Sequence, residues 1–374
     1  MAEKKLIIGS RVSWKRVIWF VGLTYLVSFL LCGFVYKEGK KLDPELPAIK
    51  QFTDIVRGKP EAVARYLEMH PEVRTEDLPK EVAGVKDVVV LKSLEEQVAV
   101  YVSQKHLAVQ SFGAMMFFPA LIAILLRIVF RDGFRNSGFR FGKAKNYLSV
   151  LIFIVAFAVL SVILNALFYG KKPDWLLENM AVGGLSLMGR SVTPFIFWTF
   201  QFVVIGLIAN ITFPIIAMLG EEYGWRPYLL QNLLPLGFWK ANIITGVVWG
   251  LWHAPVILMG YNYGSYTLAG VFLFTLLCVL LGTVFNYMYI RGNSVILAAA
   301  AHGWFNGLIP SVILLTGFMG KEPLMAPMGL LGIAILLVLL LIGYKLTKGF
   351  DISGYVEIKE KSEVRSQKPV DGRQ

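Results

Sequence analysis

The chain contains few charged residues and few cysteines. Only 17% of its 374 residues are charged, whereas 56% are hydrophobic. Soluble domains carry about 25% charged residues, so this composition argues against a soluble fold. The two cysteines, Cys32 and Cys278, both lie inside apolar runs. This position favours small apolar core residues over a disulfide or a metal site.

Apolar runs of about 20 residues recur along the chain, and each is long enough to cross a bilayer as a helix. We therefore predict an all-α fold, a multi-pass transmembrane helical bundle with about eight spans and a small helical extramembrane insert. The first run lacks a small-residue cleavage site, which predicts a retained helix rather than a signal peptide. The predicted spans are 17–36, 107–130, 147–169, 193–220, 241–260, 268–290, 295–316 and 328–344.

Basic residues are distributed unevenly between the predicted spans. The N-terminus, the loop after the second span and the C-terminal tail are all rich in Lys and Arg. Eight spans place these three segments on one side, and the positive-inside rule makes that side cytoplasmic. We expect a cell-membrane protein with both termini in the cytoplasm. The net charge of +12 then indicates this orientation and contact with the lipid bilayer, and no nucleic acid partner is expected.

Two histidines lie inside predicted spans, where ionisable residues are costly and are therefore functional candidates. His253 and His302 each lie about a dozen residues from the cytoplasmic end of their span, so they reach a similar depth. This match indicates a shared site rather than two unrelated core histidines. Asn306 follows His302 by four residues and shares its helix face. Such a pair suits either an oxyanion site or a polar interhelical clamp.

An acidic pair ends the fourth predicted span. Glu222 and Arg226 have the i,i+4 spacing of a helical ion pair. Glu221 lies about 100° around the helix and stays available as a general base for water. The alternative is that both acids are solvated at the membrane edge. A straight helix over 193–220 would be about 42 Å long and would carry Glu221 out of the bilayer. We therefore expect tilt, a late start or a kink at Pro214.

Three motifs occur in a fixed order along the chain, and together they resemble those of the CPBP family, the CAAX proteases and bacteriocin-processing enzymes. The resemblance covers roughly residues 190–316. It implies a hydrolase, an intramembrane endopeptidase that cleaves a membrane-associated protein or peptide substrate. One departure is a tryptophan at a position where the family more often has Phe. The motifs are Glu221-Glu222-x-x-x-Arg226, Trp249-x-x-x-His253 and His302-x-x-x-Asn306.

The resemblance also implies a catalytic role for each motif residue. Glu221 would activate water, and His253 would help to hold it. His302 and Asn306 would stabilise the oxyanion. The supporting acid and base would be Glu222 and Arg226.

The resemblance leaves the question of a metal open, because the family has been called both metalloprotease and glutamate protease. A classic zinc helix carries two histidines at i,i+4 with a glutamate between them, and this sequence has no such helix. We therefore predict that no cofactor is required. If zinc is used, the candidate metal ligands are Glu221, His253 and His302.

Two other function classes compete with the peptidase. One is a non-catalytic immunity or scaffold protein of the same fold, and the intact motif set argues against it. The other is a proton-coupled transporter, which more often shows broken helices in two matching halves. The sequence does not distinguish CAAX-type substrates from leader or bacteriocin peptides.

The predicted spans and motifs divide the chain into five segments. The first combines a cytoplasmic N-terminal segment with the first span. The second is polar, mixed in charge and predicted to be an extracytoplasmic insert without a catalytic role. The third holds two spans and a basic cytoplasmic loop, the fourth the catalytic core, and the fifth the last span and a cytoplasmic tail. Their bounds are 1–36, 37–106, 107–190, 191–316 and 317–374.

Overall fold

The computed structural model describes residues 5–41, 112–169, 198–212, 214–258, 262–263, 268–316 and 324–359. The predicted insert therefore lies outside the described residues, apart from 37–41, which continue the first helix. The chain forms two compact units. One comprises 1–29, 115–173 and 198–374, and the other 30–114 and 174–197. The first unit contains every residue of the candidate site.

Helices dominate the described residues, as predicted for an all-α membrane bundle. Two π-helical segments, Phe200–Ile208 and Trp225–Leu230, and two 3₁₀ turns, Ala209–Ile211 and Leu234–Leu236, interrupt the α-helices. The regular elements are β1 (Leu6–Gly9), α1 (Trp14–Lys41), α2 (Phe118–Val129), α3 (Ala144–Tyr169), α4 (Ile215–Gly224), α5 (Gln231–Leu233), α6 (Phe238–Trp252), α7 (Ala254–Leu258), α8 (Leu268–Gly292), α9 (Val295–Thr316), α10 (Leu330–Leu346) and β2 (Val356–Lys359).

Among the described residues, five helices are long and apolar enough to cross a bilayer, against about eight predicted spans. A sixth span results if the bent pair Phe200–Ile211 and Ile215–Leu236 is counted as one. The other two predicted spans are shorter helices: α6 has 15 residues and α10 has 17. The five long helices are Trp14–Lys37, Phe112–Val129, Ala144–Phe168, Leu268–Gly292 and Val295–Ile313.

Proline explains why α6 is short. Pro255 has no backbone N–H, so it cannot bond the carbonyl of Leu251 one turn earlier. The helix ends at Trp252, and the His253 N–H bonds instead to the Gly250 carbonyl at 3.1 Å. The chain then continues as α7. His253 therefore lies at a break between two helices rather than within a continuous span.

The fourth predicted span is bent. Its two parts, Phe200–Ile211 and Ile215–Leu236, meet at 55°. Thr212 leaves the helical conformation with ψ −116°, and Pro214 begins the next helix as its N-cap. Proline lacks the N–H that would continue the hydrogen-bond ladder. Of the three expected adjustments, which were tilt, a late start and a kink at Pro214, the structure shows the kink.

Helix α9 lies at the centre of the bundle and packs against α3, α4, α8 and the first π-helical segment. Small residues make this packing close. A Cβ added at Gly303 would lie 2.5 Å from the Asn210 carbonyl oxygen, and one at Gly307 would lie 2.5 Å from Asn210 Nδ2. Small residues spaced by four let membrane helices approach at backbone distance. This spacing fixes α9 against the segment that precedes α4.

The two strands, β1 and β2, form a parallel pair that joins the two described ends of the chain. The loop after α2 contacts β1, because Asn136 Nδ2 donates to the Ile7 carbonyl at 2.5 Å. The α8–α9 turn contacts the residue before β1, since Asn293 Nδ2 donates to the Lys5 carbonyl at 3.3 Å. These segments therefore share one side of the bundle. That this side is cytoplasmic stays a prediction.

Candidate active site

Helices α4 and α9 run antiparallel and bring the first and third motifs together. His302 Nδ1 lies 3.0 Å from Glu222 Oε1. One turn away, Asn306 Nδ2 lies 3.4 Å from the sulfur of Met218. From the first contact to the second, the residue number rises by four along α9 and falls by four along α4. Antiparallel helices in register give this pattern. The contact across 80 positions depends on this register and is not visible in the sequence.

Glu222 forms the centre of a buried charge cluster. Arg226 Nε lies 2.8 Å from Glu222 Oε2, and both side chains are 0% exposed. The ion pair expected from the i,i+4 spacing is therefore present, although the N–H is not aligned for a hydrogen bond. The two terminal nitrogens of Arg226 are buried without a hydrogen-bond partner among the described residues. Glu222 thus contacts one cation and one imidazole, each through a different oxygen.

Glu221 is buried as well, at 2% exposure, and has a different partner. The indole N–H of Trp249 donates to Glu221 Oε2 at 2.9 Å. In the sequence pattern Trp249 was noted only as a departure from the more usual Phe, without any indication of this donor. The signal that could have found it was the departure from Phe, because indole carries an N–H and phenyl does not. The second oxygen, Glu221 Oε1, makes no hydrogen bond with the described residues.

His253 reaches the cluster through Trp249 rather than through Glu221. Its Nδ1 lies 2.8 Å from the Trp249 carbonyl oxygen. A carbonyl only accepts, so Nδ1 carries the proton and a neutral ring leaves Nε2 as an acceptor. The ring packs edge-on against Trp252 and Phe274, each with centroids 4.7 Å apart. Among the described residues, the hydrogen bond to Glu221 comes from Trp249 and not from His253. The role in holding the water that the resemblance implies for His253 stays a prediction.

Aromatic rings enclose the cluster. The guanidinium of Arg226 lies 4.8 Å from the ring of Trp249 and 5.7 Å from that of Phe285. The same two rings flank His302, with centroids 5.5 Å and 5.8 Å away. A cation over an aromatic face is stabilised by the ring quadrupole. The rings therefore replace part of the hydration that Arg226 loses on burial. Phe285 was not among the residues predicted from sequence.

Asn306 occupies a different environment from the rest of the predicted site. It is exposed, whereas His302 on the same helix is buried. Among the described residues its amide hydrogen-bonds only to a thioether, which is a weak acceptor. The amide is therefore held loosely, one turn from His302, on the accessible side of α9.

The candidate metal ligands do not converge. No group of three His, Cys, Asp or Glu side chains in the described ranges is placed to hold a metal ion. The Trp249 ring contacts both histidines, with centroids 6.1 Å from His253 and 5.5 Å from His302. Nδ1 of each histidine bonds to a carbonyl or a carboxylate, at Trp249 in one case and at Glu222 in the other, and this leaves Nε2 of each ring as the nitrogen that could bind a metal. As arranged in the described residues, Glu221, His253 and His302 do not gather around one point. Whether the reaction requires a metal stays a prediction.

Comparison with known proteins supports the resemblance. Residues 202–308 match the model of the Rce1-like family, described as type II CAAX prenyl endopeptidase. A CAAX prenyl protease 2 of Methanococcus maripaludis is 41% identical over 44 residues, which is 12% of this chain and 16% of that protein. The chain therefore aligns with less than a fifth of that curated relative. No solved structure matches the chain.

The matched segment contains all three motifs and every predicted site residue. It includes α4, α6, α8 and most of α9, the helices that carry the buried cluster. The predicted resemblance to the CPBP family is thereby confirmed.

Proposed function

We propose that this multi-pass membrane protein is an intramembrane endopeptidase that hydrolyses a peptide bond in a membrane-associated protein or peptide. Support comes from the match of residues 202–308 to the Rce1-like family and from the buried cluster that the same residues form. The observation that carries the proposal is Glu221, a buried carboxylate with one oxygen bonded to Trp249 and the other free of hydrogen bonds to the described residues. A general base needs such a free oxygen within reach of water.

The proposed first step is attack of water on the scissile carbonyl. The water oxygen bonds to the carbonyl carbon while Glu221 takes a proton from the same water molecule. The carbonyl π electrons move to oxygen and form an oxyanion. Glu221 then returns the proton to the amide nitrogen, the C–N bond breaks, and a carboxylic acid and an amine leave. No other reactant is needed.

The charges of the cluster suit this step. Glu221 and Glu222 carry two negative charges when ionised, and Arg226 carries one positive charge. A protonated His302, paired with Glu222 at 3.0 Å, would bring the total to zero. When Glu221 takes up the proton, the negative charge moves to the substrate oxygen, and the total remains zero. Because unpaired charge is costly away from water, a reaction that keeps the balance avoids that cost.

A protonated His302 also has the right donors for the oxyanion. Nδ1–H faces Glu222, which leaves Nε2–H to point at the developing charge. Asn306 is the second proposed donor. Within the described part of the chain its amide bonds only to the Met218 thioether, a partner that is lost at small cost. We place the CAAX class of substrate first because the matched family carries that name.

The test is Glu221→Gln in the full chain in lipid nanodiscs, with cleavage of a farnesylated fluorogenic peptide ending in Cys-aliphatic-aliphatic-X. The amide keeps the shape and can still accept from Trp249, but it cannot take the proton. We expect a rate about 10² to 10⁴ lower, the usual contribution of a general base, while the protein stays folded.

A matched control is Glu357→Gln on the exposed strand β2, which should leave the rate unaltered. Cells that carry Glu221→Ala should also accumulate the uncleaved natural substrate. An active Glu221→Gln enzyme would refute the role of this carboxylate. A wild-type membrane proteome indistinguishable from that of Glu221→Ala cells would instead favour the non-catalytic alternative.

A further inference from the structure

A basic pocket lies on the side of the bundle where β1, β2, the loop after α2 and the α8–α9 turn meet. Its cavity is about 160 Å³ and is lined by four basic residues, Lys5, Arg140, Lys143 and Arg291, together with Ile290 and Gly and Tyr residues of the adjacent segments. Among the described residues no carboxylate lines it. A water molecule occupies about 30 Å³ in the liquid, so the pocket has room for a hydrated anion.

Hydrogen bonds hold the cationic segments in place. The Ser294 hydroxyl donates to the Arg140 carbonyl, and the Val295 N–H donates to the Gly138 carbonyl at 2.9 Å. On the opposite wall, Asn293 Nδ2 donates to the Lys5 carbonyl at 3.3 Å. The α8–α9 turn therefore anchors both the loop and the N-terminal strand. The cations lie together because the backbone places them there, although they repel one another.

The two arginines of the pocket form no ion pair with the described residues. Neither Arg140 nor Arg291 has an ion pair within these ranges, and the carboxylate of Asp351 is bonded to the N–H and hydroxyl of Ser353 at 2.9 and 3.0 Å. Like charges that line one pocket repel each other unless an anion joins them. The pocket thus has the composition of an anion-binding site.

The position of the pocket identifies the source of the anion. Lys143 immediately precedes α3, and Arg291 lies in the last turn of α8. Both helices are among those long and apolar enough to cross the bilayer, so their ends mark the boundary between hydrocarbon and water. Phospholipid phosphates lie at this level, and basic pockets between spanning helices bind anionic headgroups.

We propose that this basic pocket binds the phosphate of an anionic phospholipid headgroup. The site is separate from the buried cluster of Glu221 and His302, and the proposal does not rest on the peptidase assignment. The bound lipid neutralises the cations and ties β1, the loop and the α8–α9 turn to the membrane surface.

The experiment compares two double variants of the full chain in nanodiscs. Arg140→Gln with Arg291→Gln removes two pocket charges. Arg135→Gln with Lys145→Gln removes two exposed charges from the same region without touching the pocket. Binding of phosphatidylglycerol and of phosphatidylcholine is measured by native mass spectrometry on lipid titration. If the lipid phosphate contacts the pocket cations, each should contribute about fivefold to its affinity, so the pocket variant should lose about 25-fold for phosphatidylglycerol. The control charges do not line the pocket, so the control should lose less than about threefold.

Three results would overturn the proposal. Equal losses in the two double variants would show only a general surface effect. Equal binding of phosphatidylcholine would show that the anion is not recognised. Inorganic phosphate that displaces the lipid at equal concentration would make the ligand a free phosphate. If the pocket variant fails to fold, Lys5→Gln, which changes one exposed side chain next to β1, should still lower phosphatidylglycerol affinity about fivefold, and unchanged affinity would refute the site.

Discussion

Removal of one partner from the buried pair of Glu222 and Arg226 should destabilise the protein far more than removal of both. Both side chains are 0% exposed and lie 2.8 Å apart. A single Arg226→Gln leaves the carboxylate without its cation, and a single Glu222→Gln turns an amide N–H₂ towards the guanidinium. Each change leaves a buried charge uncompensated, at about 3 to 5 kcal/mol. In the double variant the two new amides can pair, and the amide that replaces Glu222 keeps an oxygen for His302. We expect the double variant to lose less than either single variant.

The chain contains a surface pair for comparison. Arg16 donates to Asp132 through Nε at 2.9 Å, and the two side chains are 30% and 22% exposed. Water and salt screen such pairs, so Arg16→Gln should cost about 0 to 1 kcal/mol. The assay is reversible unfolding in mixed micelles, with the free energy of unfolding measured for all four variants and the parent. Equal costs for Arg226→Gln and Arg16→Gln would refute the reasoning, as would a double variant as unstable as the sum of the singles.

Three further predictions concern the site and the topology. Trp249→Phe keeps a ring over Arg226 but removes the N–H bonded to Glu221. The cleavage rate should fall by about 10- to 100-fold, the equivalent of a hydrogen bond to a charged group. An unchanged rate would show that the N–H does not orient the base. The purified enzyme should stay active after thorough chelation, and loss of activity restored by zinc would contradict this. A cysteine introduced at Glu72 should be labelled from outside intact cells while one at Arg135 is not, and the reverse pattern would invert the predicted orientation.

Much of the architecture could be predicted from sequence because it depends on local properties. Apolar runs such as 147–169 and 268–290 have no means other than a helix to satisfy their backbone in lipid, and both are long helices in the structure. The pairing of Glu222 with Arg226 follows from an i,i+4 spacing within one continuous helical segment. The order of the three motifs likewise indicated which family the chain resembles, because it needs only the residues and their spacing.

Other features could not be predicted, because the sequence allowed several outcomes of similar cost. Tilt, a late start and a kink would each have brought Glu221 back towards the membrane, and only the structure shows the 55° bend at Pro214. The short length of α6 depends on Pro255, whose effect on a helix ranges from a kink to a complete end.

The sequence by itself determined which residues are polar in an apolar chain, which of them share a helix, and which family they resemble. The tertiary structure alone decided their partners: Trp249 donates to Glu221, His302 faces Glu222, and Asn306 lies exposed one turn away. The physical reason is that helical periodicity assigns each residue to a face of its own helix. Contacts between helices depend also on their rotation and axial register. Gly303 and Gly307, for example, pack closely against Asn210 in the segment that precedes α4, and such a contact depends on both surfaces.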